Sequence, residues 1–295
     1  MVVPTLDRPQ TLARAIGALM GQTLAADQFE LIVAEDARNE ATPALRSLPF
    51  AARAVKAARD GASAARNAGW RSARAPTVLF IGDDIIASPG LLAEHLAWHE
   101  REPTPDVAVL GAVDWAREVR RSAFTDWLDR GIQFDYRTIP GVEAGPGHFY
   151  SANVSLKRAT LSASGGFDEV RFPFLYEDIE LGTRLFERGL RLLFNAKARA
   201  EHLHQPQLDE WRERVRLIAQ AERRWVALRP DKAPYFHDLF AHALARPRSR
   251  GRWRRVVRLV PRRTPLIGTR AWTSVDLYFR QQLATAFMDA WHAAD

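Results

Sequence analysis

Two neighbouring carboxylates, Asp83 and Asp84, close the apolar run Val78-Leu79-Phe80-Ile81-Gly82. A buried strand that delivers acids at its carboxyl end puts negative charge in the crevice where α/β proteins keep their ligands. Adjacent acids repel, so a cation must offset them. A divalent ion carrying a phosphate-bearing ligand suits that task, because Mg2+ and Mn2+ favour hard oxygen donors and bind through one or two carboxylates plus phosphate. On its own the pair reads equally well as a solvated turn, since Asp is a common turn residue. Further clusters follow. Glu35-Asp36 ends the apolar stretch Phe29-Glu30-Leu31-Ile32-Val33-Ala34. Gly61-Ala62-Ser63-Ala64-Ala65-Arg66-Asn67-Ala68-Gly69 opens a helix, and a cation with free N–H groups at such a start suits a diphosphate. Gly165-Gly166-Phe167-Asp168-Glu169 precedes Tyr176-Glu177-Asp178-Ile179-Glu180, whose acids fall in the first turn of a helix. His202-Leu203-His204 comes last. The chain has no cysteine, which excludes thiolate metal sites, disulfides and cysteine nucleophiles. Any metal must be held by oxygen or imidazole.

The elements that position these groups alternate. Residues 2–5 read as a strand. Asp7 is expected to cap the following helix, with Pro9 in its first turn, and Leu12, Ala15, Ile16, Leu19 and Met20 recur at helical spacing. Strands are expected at 29–34, 54–57, 77–81 and 107–113, with a small-residue helix over 62–73 and another opening at Pro89. That alternation predicts a doubly wound, mostly parallel sheet. Residues 114–150 are less regular and rich in glycine towards their end. A strand is expected over 150–156, a helix over 177–188, and two short strands near 191–195 and 198–202. From about 207 the pattern is helical. Trp211, Val215, Ile218, Ala219 and Trp225 line one face, and 270–292 reads as a final long helix. The expected organisation is an α/β domain over 1–205 and a helical C-terminal extension over 206–295.

The formal net charge of +7 over 295 residues is local. Residues 246–263 hold nine arginines and no acid; without them the body is slightly acidic. Trp253, Val256, Val257, Leu259 and Val260 lie among those arginines, so the favoured reading is a segment resting on an anionic membrane surface. A packed helix with snorkelling arginines is the second reading, and a nucleic-acid footprint is the weakest. Pro247, Gly251 and Pro261 limit any helix there to about two or three turns. No apolar run approaches the ~18 residues of a membrane span. Asp7 and Arg8 interrupt the N-terminus before an apolar signal region develops. The expected location is therefore cytoplasmic, with peripheral attachment to the inner face of the cell membrane through 246–263.

In their order and spacing these clusters resemble family 2 glycosyltransferases, the inverting group with a GT-A fold, over roughly residues 1–205. The resemblance implies that Pro4, Thr5 and Asp36 line the nucleobase pocket and that Arg66 helps hold the nucleotide. Asp83 and Asp84 match the family's metal-binding acidic motif, with Asp84 on the metal and Asp83 on the sugar or ribose. Gly82 stands where many members carry a first Asp. Glu177 and Asp178 match the catalytic pair, Asp178 being the general base that deprotonates the acceptor hydroxyl. His202, or alternatively His204, matches a histidine metal ligand, and the ion implied is Mn2+ or Mg2+. The segment 149–153 matches a stretch lining the donor and acceptor pocket, where Asn153 would bond a sugar hydroxyl and Tyr150 stack on a sugar face. The implied reaction moves a sugar from a nucleoside diphosphate sugar, with uridine the favoured carrier, to a saccharide or lipid-linked acceptor. Two rivals remain: a degenerate GT-A scaffold that only binds nucleotide sugar or membrane, and a nucleotidyltransferase. The latter is expected to carry a glycine-rich phosphate loop after the first strand, where this chain has Thr5-Leu6-Asp7-Arg8-Pro9.

Overall fold

Strand and helix alternate from the first residues onward. The computed structural model describes residues 1–39, 45, 47–247 and 265–293, without the side chains of 265–271. Of the basic segment 246–263, all but Arg246 and Pro247 lies outside the described residues, and so do the membrane and nucleic-acid readings attached to it. The chain divides into two compact units. The first joins Met1–Val119 with Tyr136–His204, and the second joins Arg120–Asp135 with Gln205–Asp295. The segment Arg120–Asp135, placed by the sequence in the first domain, thus belongs to the second unit.

In the first unit the order is β1 (Val2–Thr5), α1 (Pro9–Leu19), β2 (Glu30–Glu35), β3 (Ala51–Lys56), α2 (Ala62–Ser72), β4 (Thr77–Ile81), β5 (Ile85–Ala87), α3 (Leu91–Arg101) and β6 (Val107–Trp115). The short α4 (Ala123–Leu128) belongs to the second unit. The first then resumes with β7 (Glu143–Ala144), β8 (Asn153–Lys157), α5 (Arg158–Ser164), α6 (Glu177–Phe186) and β9 (Arg191–His202). Among the described residues these strands form one nine-stranded sheet in the order β3-β2-β1-β4-β8-β6-β9-β5, with β7 paired to β9. Strands β5, β7 and β8 run against the rest. All six residues of β2 are buried, as a central strand covered on both faces requires. The edge strand β3 has no fully buried residue, and its weak apolar pattern explains why the sequence shows only part of it. Val2, Ile32, Phe80, Leu110, Val154 and Leu156 pack in one core cluster. Burying each such side chain stabilises the fold by roughly 1.5–3 kcal/mol.

Two local expectations are corrected. Asp7 is not the cap of α1: that position is Arg8, with no side-chain cap bond. Asp7 instead turns the chain with φ 47°, and its N–H donates to Asn39 Oδ1 at 2.8 Å. The two short strands at 191–195 and 198–202 are one strand, β9, broken by a bulge. Gly111 of β6 pairs with Asn195 and Ala112 with Arg199, so residues 196–198 are passed over and the alternation loses its phase.

That bulge explains Asn153. Its Nδ2 donates to the carbonyls of Ala198 at 2.9 Å and Ala112 at 3.3 Å, carbonyls the interrupted ladder leaves over. A Cβ at residue 111 would meet Asn153 Nδ2 at 2.2 Å, so only glycine fits there. The rest of the buried network fixes its own protons. Asn153 Oδ1 accepts from His95 Nε2 at 2.9 Å. His95 Nδ1 then accepts from the Ser155 hydroxyl at 2.8 Å, and that oxygen accepts from His99 Nε2 at 2.8 Å. This order leaves His99 Nδ1 as a bare acceptor, and it has no partner. Both imidazoles are neutral.

The second unit is helical: α4, α7 (Leu208–Leu228), α8 (Tyr235–Leu244) and α9 (Pro265–His292). Ser122 caps α4 through a reciprocal bond pair with Thr125. Phe124, Trp127, Trp211 and Phe279 pack ring to ring, and Trp127 Nε1 donates to Asp276 at 3.0 Å. Glu222, fully buried in α7, accepts the N–H groups of Phe236 and His237 at 2.8 and 2.7 Å, the orphan donors of the first turn of α8. No described helix is long and apolar enough to cross a membrane.

The neutral histidine pair has a measurable consequence. Burial lowers His95 from 6.5 to about 4, and burial with the charge of Lys157 lowers His99 to about 3. The unfolded chain takes up protons near pH 6.5, whereas the folded chain refuses them. Stability is therefore full above that pH and falls as pH drops towards 4. Between pH 7 and pH 5 the pair is expected to remove about 4 kcal/mol, about 2 for each histidine, read in urea melts as the loss in the parent beyond that in His95→Gln with His99→Gln, since Asp83 and Glu177 shift the opposite way over this range. The same pH dependence in both proteins would show that the pair is not held neutral.

Candidate active site

The sheet register brings the sequence clusters to one edge. Thr5, at the end of β1, pairs with Glu35 at the end of β2. Ile81, at the end of β4, lies opposite Asn153 at the start of β8. Asp83 and Ser151 therefore both lie two residues past that pair, at the same end of the two strands. Ile85 and Trp115 both pair with His202, the last residue of β9. The residues that follow β1, β2 and β4, precede β8 and end β9 thus converge where an α/β sheet keeps its ligands.

At this edge Asp83 is buried and accepts from Thr5 Oγ1 at 2.8 Å. The cation that offsets Asp83 and Asp84 is Arg8. Its Nη2 lies 2.7 Å from Asp83 Oδ1 and its Nη1 2.9 Å from Asp84 Oδ2. Burial, with the adjacent charge of Asp84, pushes Asp83 up to about 6 despite Arg8 and Thr5. Burial would raise Asp84 as well, but the His202 imidazole and Arg8 outweigh it and hold Asp84 well below the usual carboxylate range. His202 Nε2 is 3.4 Å from Asp84 Oδ2, and its ring stacks on Trp115 with centroids 5.3 Å apart. The His204 ring lies 5.8 Å from that of His202. Among the described residues no group of three or more His, Cys, Asp or Glu is arranged to hold a metal. Asp84 and His202 together supply one hard oxygen and one imidazole nitrogen at hydrogen-bonding range. This pair fits a divalent cation whose remaining ligands come from phosphate and water, Mn2+ accepting the imidazole more readily than Mg2+.

Asp36 is saturated by its own chain. Arg38 grips it through Nε at 2.9 Å and Nη2 at 3.0 Å, and the N–H groups of Arg38 and Gly61 add bonds of 3.0 and 2.7 Å. These bonds outweigh burial and lower its pKa. Gly61 reaches this acid with φ 106°, and a Cβ there would lie 2.5 Å from the Pro173 carbonyl. Pro4 lies within β1 opposite Ala34.

The Arg66-Asn67 stretch of α2 grips the loop leading into α6. Asn67 donates to the Phe167 carbonyl and to Glu169, and accepts from the Phe167 N–H. Ser63 Oγ donates to the Phe172 carbonyl. Arg184 pairs with Glu180 and donates to the carbonyls of Ser164 and Gly166. Leu175 and Tyr176 then take left-handed φ values of 64° and 63°, a strained turn for non-glycine residues, and α6 begins at Glu177. Arg66 Nη1 lies 3.0 Å from Glu177 Oε1, both side chains being buried. Burial and the neighbouring Asp178, opposed by Arg66, push Glu177 up to about 7. Asp178 differs. Its Oδ2 accepts from the Ser151 N–H at 2.9 Å, and its Oδ1 has no hydrogen-bond partner. The Ser151 hydroxyl is also unpartnered.

The site therefore departs from the sequence reading at several residues. Asn153 is not free for a sugar hydroxyl, because its amide is wholly engaged inside the sheet. Arg66 Nη1 is engaged by Glu177, while its Nε has no hydrogen-bond partner. Residues 150–152 form a turn before β8 rather than strand, and this turn aims the Ser151 N–H at Asp178. Arg8, Arg38, Asn39 and Ser151 went unselected. For Arg8 a signal exists: it is a cation directly after a strand end and directly before Pro9. Nothing local marks Ser151, whose contribution is a backbone N–H.

Arg66 and Glu177 form a buried pair, so removing one partner strands a charge. Arg66→Met is expected to lower stability by about 3–5 kcal/mol, and Arg66→Met with Glu177→Gln to recover most of it in thermal melts. A single variant as stable as the parent would show that the pair does not hold this corner.

Residues 1–152 match the family described as Glycosyl transferase family 2. Validoxylamine A glucosyltransferase of Streptomyces hygroscopicus subsp. jinggangensis (strain 5008) is 29% identical over 227 residues, covering 64% of this chain and 51% of that protein. Mannosyltransferase PcManGT from Pyrobaculum calidifontis, solved in complex with GDP-Man and Mn2+, is similar with a TM-score of 0.55 and 18% identity, covering 100% of this chain and 75% of that one. S. aureus TarS 1–349 in complex with UDP gives a TM-score of 0.51 at 14% identity, covering 98% and 89%. At such identities the structural likeness establishes the fold, which is GT-A. The chain spans about half the length of the first curated relatives it matches. With more than half of its residues inside the family's pattern, the chain belongs to glycosyl transferase family 2.

Proposed function

We propose that this protein is an inverting glycosyltransferase that moves a sugar from a nucleoside diphosphate sugar to an acceptor hydroxyl, with Asp178 as general base. The observation that carries this reading is the state of Asp178. One carboxylate oxygen is fixed by the Ser151 N–H while the other has no hydrogen-bond partner. A base needs that combination: a held orientation and an oxygen left to take a proton. Its neighbour Glu177 is tied to Arg66, so the two acids of the pair have different tasks.

In this reading the acceptor hydroxyl attacks the anomeric carbon from the side opposite the leaving diphosphate. Asp178 takes the proton, and the configuration inverts without a covalent sugar–enzyme intermediate. Thr5 holds Asp83 so that it faces the ribose or sugar. Asp84 and His202 would hold Mn2+ or Mg2+, with His204 the neighbouring imidazole. When bound, that cation supplies charge neutralisation at the leaving diphosphate. Uridine is the first carrier to test and guanosine the second, since relatives of this fold have been solved with UDP and with GDP-Man. The acceptor class we assign is a saccharide or a lipid-linked saccharide.

Asp178→Asn preserves an acceptor for the Ser151 N–H but removes the base. Turnover is expected to fall by about 10^3-fold or more, with donor affinity within about twofold of the parent by calorimetry. Near-normal turnover would remove Asp178 from this role. Titration of UDP- and GDP-sugars with and without Mn2+ is expected to show metal-dependent binding of one carrier. Asp84→Ala should abolish the metal dependence. Binding that ignores both Mn2+ and this substitution would contradict the assignment of Asp84.

A further inference from the structure

Arg8 stands where two roles collide. Its guanidinium bridges Asp83 and Asp84 at 2.7 and 2.9 Å, and the oxygen it holds on Asp84 is the one that His202 approaches to 3.4 Å. The groups differ in freedom. The Asp83 side chain is 1% exposed, that of Asp84 16%, and that of Arg8 49%. Asp83 is also fixed by Thr5, and His202 by Trp115 and the last pairing of β9. The carboxylates and the imidazole stay where the sheet puts them, whereas the guanidinium reaches them from solvent on a long side chain. A guanidinium and a divalent ion on one oxygen repel strongly at such range, so the site holds one or the other.

We propose that Arg8 is a built-in cation that holds the Asp83–Asp84 pair in the metal-free protein, and that divalent metal binds by displacing it, the released guanidinium passing to the diphosphate of the donor. This rests on the metal-dependent reading of the same site. Its consequence is an order of events. Metal alone must break two ion pairs and leave Arg8 without a partner. A diphosphate arriving with the metal gives the planar guanidinium of Arg8 an anion that accepts two parallel bonds in exchange. Metal and nucleotide therefore bind with positive coupling, and Arg8 is the source of it.

The experiment is calorimetric titration of Mn2+ alone, and of Mn2+ in the presence of UDP or GDP, into the parent protein and Arg8→Gln. Melting temperatures are recorded alongside. The parent is expected to bind Mn2+ weakly alone and more tightly with nucleotide. Arg8→Gln is expected to bind Mn2+ alone about tenfold more tightly than the parent and to lose most of the enhancement by nucleotide. Its melting temperature without metal should fall and return on adding Mn2+, because the acid pair is left uncompensated. If the parent binds Mn2+ with nucleotide but Arg8→Gln binds Mn2+ alone no more tightly, the role of Arg8 is overturned and the transferase reading stands. Should neither protein bind Mn2+ under any condition, the metal-dependent reading falls and this proposal with it. If Arg8→Gln does not fold, Arg8→Lys makes the same comparison, since one ammonium cannot bridge both acids as the planar fork does. Unchanged Mn2+ affinity in Arg8→Lys would overturn the proposal equally.

Discussion

Charge compensation governs the site. The strand ends and the start of α6 deliver Asp36, Asp83, Asp84, Glu177 and Asp178 to the edge of the first unit, and carboxylates so close together, three of them buried, repel one another and resist desolvation. Three arginines answer them: Arg38 on Asp36, Arg8 on Asp83 and Asp84, and Arg66 on Glu177. Asp178 is held differently, by a backbone N–H, and keeps one oxygen without a hydrogen bond. The chemical asymmetry of the site follows from that difference. Three of the acids' partners are thus charged side chains, while Asp178 is held by a neutral backbone donor.

The sheet exists in the form that this arrangement needs. Strand β8 runs against β4, which brings its preceding turn, and so Ser151, to the end of the sheet where Asp83 lies. Strand β9 must cross the sheet and still finish beside Asp84. It does so as one long strand with a bulge, at the cost of leaving carbonyls outside the ladder. Asn153 takes up those carbonyls, and His95, Ser155 and His99 hold its amide in a buried neutral network. The residues beneath the site therefore serve its geometry.

The α2 helix plays a similar part from the other side. Its start, with Arg66 and free N–H groups, reads in the sequence as suited to a diphosphate, yet Ser63 and Asn67 bond to the loop 167–173 and Arg66 pairs with Glu177. That loop fixes where α6 begins, through a pair of left-handed residues just before Glu177. The two glycine-bearing motifs are thus one structural device whose product is the position of Asp178.

By itself the sequence determined the fold class, the alternation of elements and the acids at strand ends, because apolar periodicity and the placement of carboxylates after apolar runs are local signals. It also carried the resemblance to the family whose pattern matches residues 1–152. Only the tertiary structure decided which partner each of those groups takes. Arg8 meets acids 75 residues or more away, Arg66 meets Glu177 across 111 residues, and Asn153 turns into the sheet because of a bulge formed by β6 and β9. Such pairings depend on strand order and register, which no local spacing encodes. An amide or guanidinium on the page of a sequence shows its capacity for bonds, and only the fold shows which of them are already made.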